Sequence, residues 1–224
     1  MKRALAFDTS TRYLSVACLD GGEIRASFHE DVGIRHSEIL VPVIKNLLEE
    51  AGWRKEVIEL VCVGLGPGSF TGLRIAAATV KGLASVLPVK VLGVPSMDAM
   101  VMNVHGEEKK LVAPLLDAHK GKVYSCIYER SDGFASRKTD YLLVTIEELL
   151  AGLEERVLFF GNGVPKYREK LGNCDLAGFS EDIDWHPRAA DIGRLGLERS
   201  GSGTDDPEFL EPLYLHSKEC NINK

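Results

Sequence analysis

The sequence has little that would suit export, a membrane or a disulfide framework. Its five cysteines are scattered, and no two of them are spaced as Cys-x-x-Cys, which argues against disulfides and a zinc knuckle. The longest uncharged run, residues 60–73, is shorter than the ~18 residues of a membrane span and contains glycines and a proline. The apolar run at residues 4–7 is too short for a signal peptide. We therefore expect a cytoplasmic protein with reduced thiols and no membrane segment.

Basic charge and paired histidines are also missing. The net charge of −6 has the wrong sign for a protein whose main task is to grip phosphate backbones, so any contact with nucleic acid is expected to be indirect. None of the six histidines forms a pair at helical spacing, as a hydrolytic metal site would require. Hydrophobic residues make up 45% of the chain, which is typical of a folded globular protein.

Hydrophobic periodicity and turn residues predict an α/β protein with mixed sheets. A strand meander leads into a helix that Ser37 caps and Gly52 ends, and a βαβ unit follows it. The predicted elements of this half are strands at 4–7, 14–19 and 23–28, a helix at 37–50, a strand at 60–64, a helix at about 71–85 and a strand at 90–94.

The pattern changes near residue 110, and a second half is predicted from there. Thr145 and Glu148 form the signature of a capping box at the start of a short helix. The other predicted elements are strands at 111–117, 123–129 and 157–160 and a helix at 188–199, whereas residues 172–185 show no clear period. We predict two domains, 1–105 and 106–224, with a loosely attached tail from about residue 200.

Two segments of the first half could contact an anion. A carboxylate and two hydroxyls follow the first strand, and a glycine-rich loop follows the strand at 60–64, although this loop lacks the Gly-Lys-Ser/Thr ending of a P-loop. The same side chains could instead serve only as turn caps. The candidate contacts of a degenerate nucleotide or anion site are Asp8, Thr9, Ser10, Gly66, Gly68, Ser69 and Thr71.

The helix that follows the glycine loop is rich in small residues, which allow another helix to approach closely. This helix and the one at 37–50 offer more apolar or small surface than one sheet face needs, so a partner interface is one interpretation. Packing on the protein's own sheet is the other. The predicted interface residues are Leu40, Val43, Ile44, Leu47, Leu73, Ala76, Ala78 and Gly82.

Several motifs together resemble the TsaB (YeaZ) family. The most specific of them is Gly66-Pro67-Gly68-Ser69-Phe70-Thr71-Gly72-Leu73-Arg74-Ile75; the others are the first strand through Ser10, His36-Ser37-Glu38, the turn from Asp117 to Tyr124, Gly161-Asn162-Gly163 and Pro212-Leu213-Tyr214-Leu215. The chain departs from the family pattern at His119 and His216, where arginine is usual. The resemblance covers nearly the whole chain in order.

The resemblance implies an actin/hexokinase-type ATPase fold made of two ribonuclease-H-like lobes. It also implies a non-catalytic subunit that supports threonylcarbamoylation of the adenosine beside the anticodon in tRNAs reading codons that begin with adenine. The implied partners are a TsaD-type transferase and a TsaE-type ATPase, with a homodimer when the chain is alone and only indirect contact with tRNA. ATP would be used by the complex, with no cofactor, catalytic residue or metal ligand in this chain. The stretch that would carry the metal-binding His-x-x-x-His of the transferase, residues 95–100, contains no histidine.

Two other functions stay open at this point. One is a self-sufficient ATP- or metal-dependent transferase or peptidase built on Asp8, Ser10 and the glycine loop. Asp8, Asp98 and Asp117 could also converge at sheet ends as a carboxylate metal site, as in ribonuclease-H-like nucleases. The other is a module that binds tRNA directly through Lys120 and Lys122. Charge runs of that kind are usually solvated surface.

Overall fold

The computed structural model describes residues 2–105, 110–131 and 134–215, and the chain divides into two compact units. The first unit contains Met1–Ala99 and His186–Leu213, and the second contains Met100–Trp185 and Tyr214–Lys224. Among the described residues, no helix is both long and apolar enough to cross a membrane. The candidate residue His216 lies outside the described part of the chain.

The first unit is a five-stranded mixed sheet with helices on both faces. Its elements are β1 (Arg3–Asp8), β2 (Tyr13–Asp20), β3 (Glu23–Asp31), α1 (His36–Glu50), β4 (Leu60–Gly64), α2 (Phe70–Val86), β5 (Lys90–Val94), α3 (Ser96–Met100, whose last residue belongs to the second unit) and, late in the chain, α6 (Ala189–Arg199). The strand order is β3-β2-β1-β4-β5, with antiparallel pairing in the meander and parallel pairing of β4 with β1 and β5. The predicted meander and βαβ unit are confirmed.

The second unit repeats this order. Its elements are β6 (Lys110–Asp117), β7 (Lys122–Ser125), β8 (Tyr128–Ser131), β9 (Phe134–Arg137), β10 (Leu142–Thr145), α4 (Ile146–Ala151), β11 (Val157–Phe160), α5 (Gly163–Gly172) and β12 (Ala177–Ser180), with one 3-10 turn at Val101–Asn103 here and another at Lys55–Val57 in the first unit. The main path of its sheet is β10-β7-β6-β11-β12, and β8 and β9 extend it. Two units with one strand order are the duplicated ribonuclease-H-like arrangement of the actin/hexokinase-type fold, which confirms the expected fold class.

The sheet of the first unit packs on both faces because the side chains of β1 alternate. Leu5 and Phe7 point to the face covered by α1 and α2, and Ala4 and Ala6 point to the face covered by α6. The alanines leave room for α6 to come close to the sheet. A Cβ on Gly196 of α6 would lie only 2.3 Å from the sulfur of Cys62.

Helix α6 corrects the predicted domain boundary. A single cut between residues 105 and 106 places residues 186–213 in the second domain, but α6 packs on β1, β2 and β4 of the first unit. The apolar face of α6 is short and glycine-rich, and it fits the alanine-lined face of the first sheet. Such complementarity joins segments that are far apart in the sequence, so a linear reading misses it.

The predicted loose tail is also wrong for the residues that the structure describes. The backbone N–H of Asp205 donates to the carbonyl oxygen of Val91 at 2.8 Å, and the N–H of Leu213 donates to that of Leu65 at 2.9 Å. Leu210 is buried in the first core. The Ser- and Gly-rich composition after residue 200 allows sharp turns, and the chain uses them to follow the outer edge of β5.

The predicted strand at 123–129 is interrupted, and the cause lies in its neighbour. β7 pairs with β6 as far as Leu115 opposite Ser125, and β8 resumes the pairing at Val112 opposite Tyr128. Pro114 lies on β6 between these pairs and has no N–H to donate. Its carbonyl oxygen accepts instead from the Ser125 hydroxyl at 2.8 Å.

Two helix starts show where local signals hold and where they fail. The capping box of Thr145 and Glu148 is present at α4 as predicted. Ser37 does not cap α1, which begins one residue earlier at His36 and has no side-chain cap. His36 is buried, and its Nε2 lies 3.3 Å from the carbonyl oxygen of Tyr13, so a tertiary contact fixes this helix start.

Residues 177–180 form a strand, β12, that the sequence did not reveal.

We expect opposite effects from the same substitution in two helices. Gly196→Ala forces a methyl group against the buried Cys62 and should lower the free energy of unfolding by about 1–3 kcal/mol. Gly82→Ala in α2 meets no atom within 4 Å and should raise it by about 0.5–1 kcal/mol through helix propensity. Urea unfolding of both variants tests this, and equal effects would contradict the close packing of α6.

Candidate functional site

A buried carboxylate at the end of β1 is the centre of the first candidate site. Asp8 Oδ1 accepts hydrogen bonds from both the backbone N–H and the hydroxyl of Ser10, each at 2.7 Å. Asp8 Oδ2 accepts from the hydroxyl of Ser96 at 2.5 Å. Asp8, Thr9, Ser10 and Ser96 are all buried. All three hydrogen bonds that the structure shows to this carboxylate therefore come from donors of the protein itself.

The same carboxylate determines which residue can stand beside it on β4. A Cβ on Gly64 would lie 1.8 Å from Asp8 Oδ2, so only glycine fits at this position. Ser96 extends the connection, because its hydroxyl accepts from the N–H of Gly66 at 2.9 Å and its own N–H donates to the carbonyl of Gly66 at 2.8 Å. The ends of β1 and β4 and the start of α3 thus form one hydrogen-bonded unit.

The glycine loop lies directly against the segment after β1. A Cβ on Gly68 would lie 2.1 Å from the carbonyl oxygen of Ser10, and one on Gly72 would lie 2.0 Å from that of Thr9. The N–H of Ser69 donates to the Ser10 carbonyl at 2.7 Å, and the Thr9 hydroxyl donates to the Gly72 carbonyl at 2.8 Å. The glycines here allow close approach of one backbone to another.

This packing bears on the predicted anion contacts. The structure brings together all of the candidates, with Gly68, Ser69 and Thr71 exposed and the others buried. However, the N–H groups of Gly66, Ser69 and Gly72 donate to Ser96, Ser10 and Ser69 respectively. A phosphate cradle needs such donors to point at the ligand. A role as anion contacts stays a prediction, and the bonds that are present are those of a closed structural turn.

Ser96 and Gly64 are the residues of this site that the sequence analysis missed. Ser96 lies just beyond the carboxyl end of β5, the edge of an α/β sheet at which functional side chains collect, and that position could have suggested it. The requirement for Gly64 could not be seen in advance, because it comes from the position of the Asp8 carboxylate.

Burial is the largest influence on the pKa of Asp8 and raises it above the ordinary value. The hydrogen bonds from Ser10 and Ser96 and the positive charge that His36 can carry act in the opposite direction and do not cancel it.

The equivalent position in the second unit is Asp117, at the end of β6. Lys166 of α5 donates to both carboxylate oxygens, at 2.8 and 3.0 Å, and the N–H of His119 donates to Oδ1 at 3.1 Å. Partial burial acts to raise the pKa of Asp117, but these bonds outweigh it and hold the pKa below its ordinary value. His119 and Lys120 adopt the left-handed conformation in this turn, with φ of 59° and 48°.

The carboxylates of the possible metal site are each engaged elsewhere. Asp98 Oδ2 lies 2.6 Å from Nη2 of Arg199, Asp8 is bound to two serines, and Asp117 is bound to Lys166. Within residues 2–105, 110–131 and 134–215, no group of three or more His, Cys, Asp or Glu side chains could hold a metal ion.

The second candidate site is the exposed side of α1 and α2, and here the predicted residues need correction. Six of the eight predicted interface residues lie in the protein's own core: Leu40, Val43, Ile44, Leu47, Leu73 and Ala76. All of them except Leu73 belong to the hydrophobic cluster in which these helices cover the first sheet. The apolar stripes are thus used in folding, and of the predicted set only Ala78 and Gly82 are exposed.

Other apolar side chains on these helices remain exposed. We call the exposed side of α1 and α2 the partner face; its apolar members are Val41, Phe70, Ala78, Gly82 and Val86. Arg74 lies with its guanidinium 4.2 Å from the centre of the Phe70 ring, a cation–π contact at the start of α2. Ile34, just before α1, is 96% exposed. The sequence analysis did not name Ile34, Val41 or Val86 as interface residues, because hydrophobic periodicity marks the buried side of a helix.

The buried carboxyl group makes stability depend on pH. Because its pKa is raised on folding, the folded state binds more protons than the unfolded state between the two pKa values, so stability falls as pH rises through that interval. Above both pKa values the effect is constant. We expect wild type to lose stability relative to Asp8→Asn as pH rises above about 4, the ordinary pKa of an aspartate, in urea unfolding. An advantage of wild type that grows with pH would contradict a raised pKa.

Comparisons with known proteins agree with this architecture. A family model described as tRNA N6-adenosine threonylcarbamoyltransferase, TsaD, matches residues 29–199. The chain is 33% identical to the tRNA threonylcarbamoyladenosine biosynthesis protein TsaB of Escherichia coli and 28% identical to that of Bacillus subtilis, in each case over 96% of this chain and 95% of the relative. The solved structure of YeaZ from Pseudomonas aeruginosa is 30% identical, superposes with a TM-score of 0.82, and covers 96% of this chain and 100% of its own. The chain therefore belongs to the TsaB (YeaZ) family.

Proposed function

We propose that this chain is a non-catalytic subunit of a tRNA-modifying complex. It binds a TsaD-type transferase and is required for threonylcarbamoylation of the adenosine next to the anticodon in tRNAs that read codons beginning with adenine. The names of the relatives from Escherichia coli and Bacillus subtilis support a place in tRNA threonylcarbamoyladenosine biosynthesis.

The partner face is the observation that carries the proposal. On α2, Arg74, Ala78 and Gly82 follow one another at intervals of four residues on the exposed side, and a Cβ on Gly82 would meet nothing within 4 Å. A glycine in the interior of an exposed helix costs stability and contributes no contact within the chain. A second helix that packs over Ala78 and Gly82 gives these small residues a use, because it can approach the α2 backbone closely.

The closed site around Asp8 supports a subunit without catalysis of its own. The groups that an actin-type ATPase would turn toward phosphate and metal are bound here to Ser10, Ser96 and the turn itself. Helix α3 has the sequence Ser-Met-Asp-Ala-Met, with no imidazole that could hold a metal, and its Asp98 is paired with Arg199. These features weigh against a self-sufficient transferase or peptidase.

The remaining partners follow from this assignment. The transferase carries the chemistry, a TsaE-type ATPase consumes ATP, and tRNA contacts this acidic chain only indirectly. Without the transferase, the partner face of one copy can pack on that of another, which gives a homodimer. The basic turn at Lys120 and Lys122 does not favour direct tRNA binding, because carboxylates offset the positive charge around it. Lys122 lies near Glu148, and Lys166, which contacts Asp117 at the start of this turn, is paired with that carboxylate.

We expect an arginine on the partner face to prevent assembly. Ala78→Arg and Gly82→Arg each place a long charged side chain where helices must approach closely, and affinity for the transferase should fall by at least about 100-fold. Light scattering behind a sizing column, with this chain alone and mixed with the transferase of the same organism, measures assembly. A reconstituted modification reaction then measures the consequence for tRNA.

Ala151→Arg is the matched control for this experiment. Ala151 is an exposed helix residue in the second unit, away from the partner face in the sequence and on a different unit. The control should form the complex and support modification as wild type does. Full assembly and activity of the Ala78→Arg and Gly82→Arg proteins would reject the helix face as the docking surface.

We also expect the isolated chain not to bind ATP tightly. Because the N–H groups of Gly66, Ser69 and Gly72 already donate to protein acceptors, isothermal calorimetry with ATP and Mg²⁺ should detect no binding in the micromolar range. The same titration on the mixed complex serves as the comparison. Micromolar binding or turnover by this chain alone would favour the enzyme over the scaffold.

A further inference from the structure

Phe209 is an exposed aromatic ring on a firmly held segment. We call residues 205–213 the C-terminal strap. The Phe209 side chain is 78% exposed, whereas Leu210 beside it is buried in the first core. An exposed phenylalanine at the end of a free tail would need no explanation. One that is fixed on both sides exposes its ring at a constant position.

Backbone contacts hold the strap at both ends. The N–H of Asp205 donates to the Val91 carbonyl at 2.8 Å, and the Asp205 carboxylate accepts from the N–H of Gly93 at 2.7 Å. At the other end, the N–H of Leu213 donates to the Leu65 carbonyl at 2.9 Å. The strap is thereby fastened along the outer edge of β5 and to the turn after β4.

A turn of the strap then fixes the residue itself. The N–H of Phe209 donates to the Asp206 carbonyl at 3.1 Å, and the N–H of Glu208 donates to the Asp206 carboxylate at 2.9 Å. From the helix side, Lys81 Nζ donates to the Glu208 carbonyl at 2.9 Å. The aromatic ring is therefore presented beside α2 with little backbone freedom left to lose on binding.

The strap lies on the side of α2 that is opposite to α1. Helix α1 packs over β2 and β3, α2 packs over β4 and β5, and the strap follows β5 at the edge of the sheet. Helix α2 thus lies between α1 and the strap. Lys81, which contacts the strap, is the neighbour of Gly82 in the sequence. The residue before Phe209 is thus bonded to the residue before Gly82.

We propose that Phe209 is an aromatic anchor for the TsaD-type transferase, inserted into an apolar pocket of that partner beside the helices that cover α2. This inference rests on the proposed function and adds a third element to the docking surface. Interfaces draw most of their affinity from a few buried side chains, in which aromatic residues are enriched, and rigid presentation lowers the entropy lost on binding. Phe209 meets both conditions.

The test compares two phenylalanines of equal exposure. Phe134, on β9 of the second unit, is also 78% exposed and serves as the matched control. Affinities of wild type, Phe209→Ser and Phe134→Ser for the transferase are measured by biolayer interferometry. We expect Phe209→Ser to weaken binding by about tenfold or more, Phe134→Ser to change it by less than about twofold, and Phe209→Leu to fall between wild type and Phe209→Ser.

Folding and the proposed function are controlled separately. The melting temperature of Phe209→Ser should match that of wild type, because the ring makes little contact within the chain. If Phe209→Ser does not fold, the affinity of Phe209→Leu decides the test instead. If wild type binds and both Phe209 variants bind equally well, the anchor is rejected and the scaffold stands. If wild type does not bind the transferase, both are rejected. A Phe209→Ser effect confined to self-association rejects the transferase as the occupant.

Discussion

The carboxyl group of Asp8 organises the first unit, because a buried polar group must be given hydrogen-bond partners wherever the chain can supply them. Its three bonds come from Ser10 and Ser96, and Ser96 passes the connection to Gly66. Removing one partner of a buried charged group typically costs several kcal/mol, so β1, the glycine turn and the start of α3 are fixed together. The absence of a side chain at Gly64 is a direct consequence, since the carboxylate occupies the space of its Cβ.

The two units hold the aspartate at the end of their first strand in different ways. In both, the first strand ends in an aspartate, and a glycine-containing turn and a helix follow the strand that pairs parallel with it. Asp8 is fully buried and satisfied by neutral hydroxyls, which leaves its pKa raised. Asp117 is partly exposed and receives the ammonium of Lys166, which leaves its pKa lowered. In each unit the carboxyl group at the end of the first strand is engaged by a side chain of the same unit.

The sequence was sufficient where a signal is local, and it failed where contacts between distant segments decide. The βαβ unit, the capping box at Thr145 and the βα order could be read directly, since each depends on neighbouring residues. The start of α1 at His36, the break opposite Pro114 and the return of α6 to the first unit depend on segments far away in the chain. The site shows the same division. Asp8 and the glycine loop were found from their motifs, but Ser96 and Lys166 are 88 and 49 residues away from the carboxylates they bind.

The eight predicted interface residues show why periodicity alone cannot locate a docking surface. A hydrophobic stripe at helical spacing indicates the side of a helix that is buried. Here the protein's own sheet covers that side, so Leu40, Val43 and their neighbours face the core. The side of the helix that is left for a partner is the one outside the hydrophobic stripe. On α2 that side includes the small residues Ala78 and Gly82, which permit close approach but bury little area by themselves. The complex we propose would need larger apolar groups as well, and Phe70 at the start of α2 and Phe209 on the strap are the exposed aromatic side chains that we propose for this role.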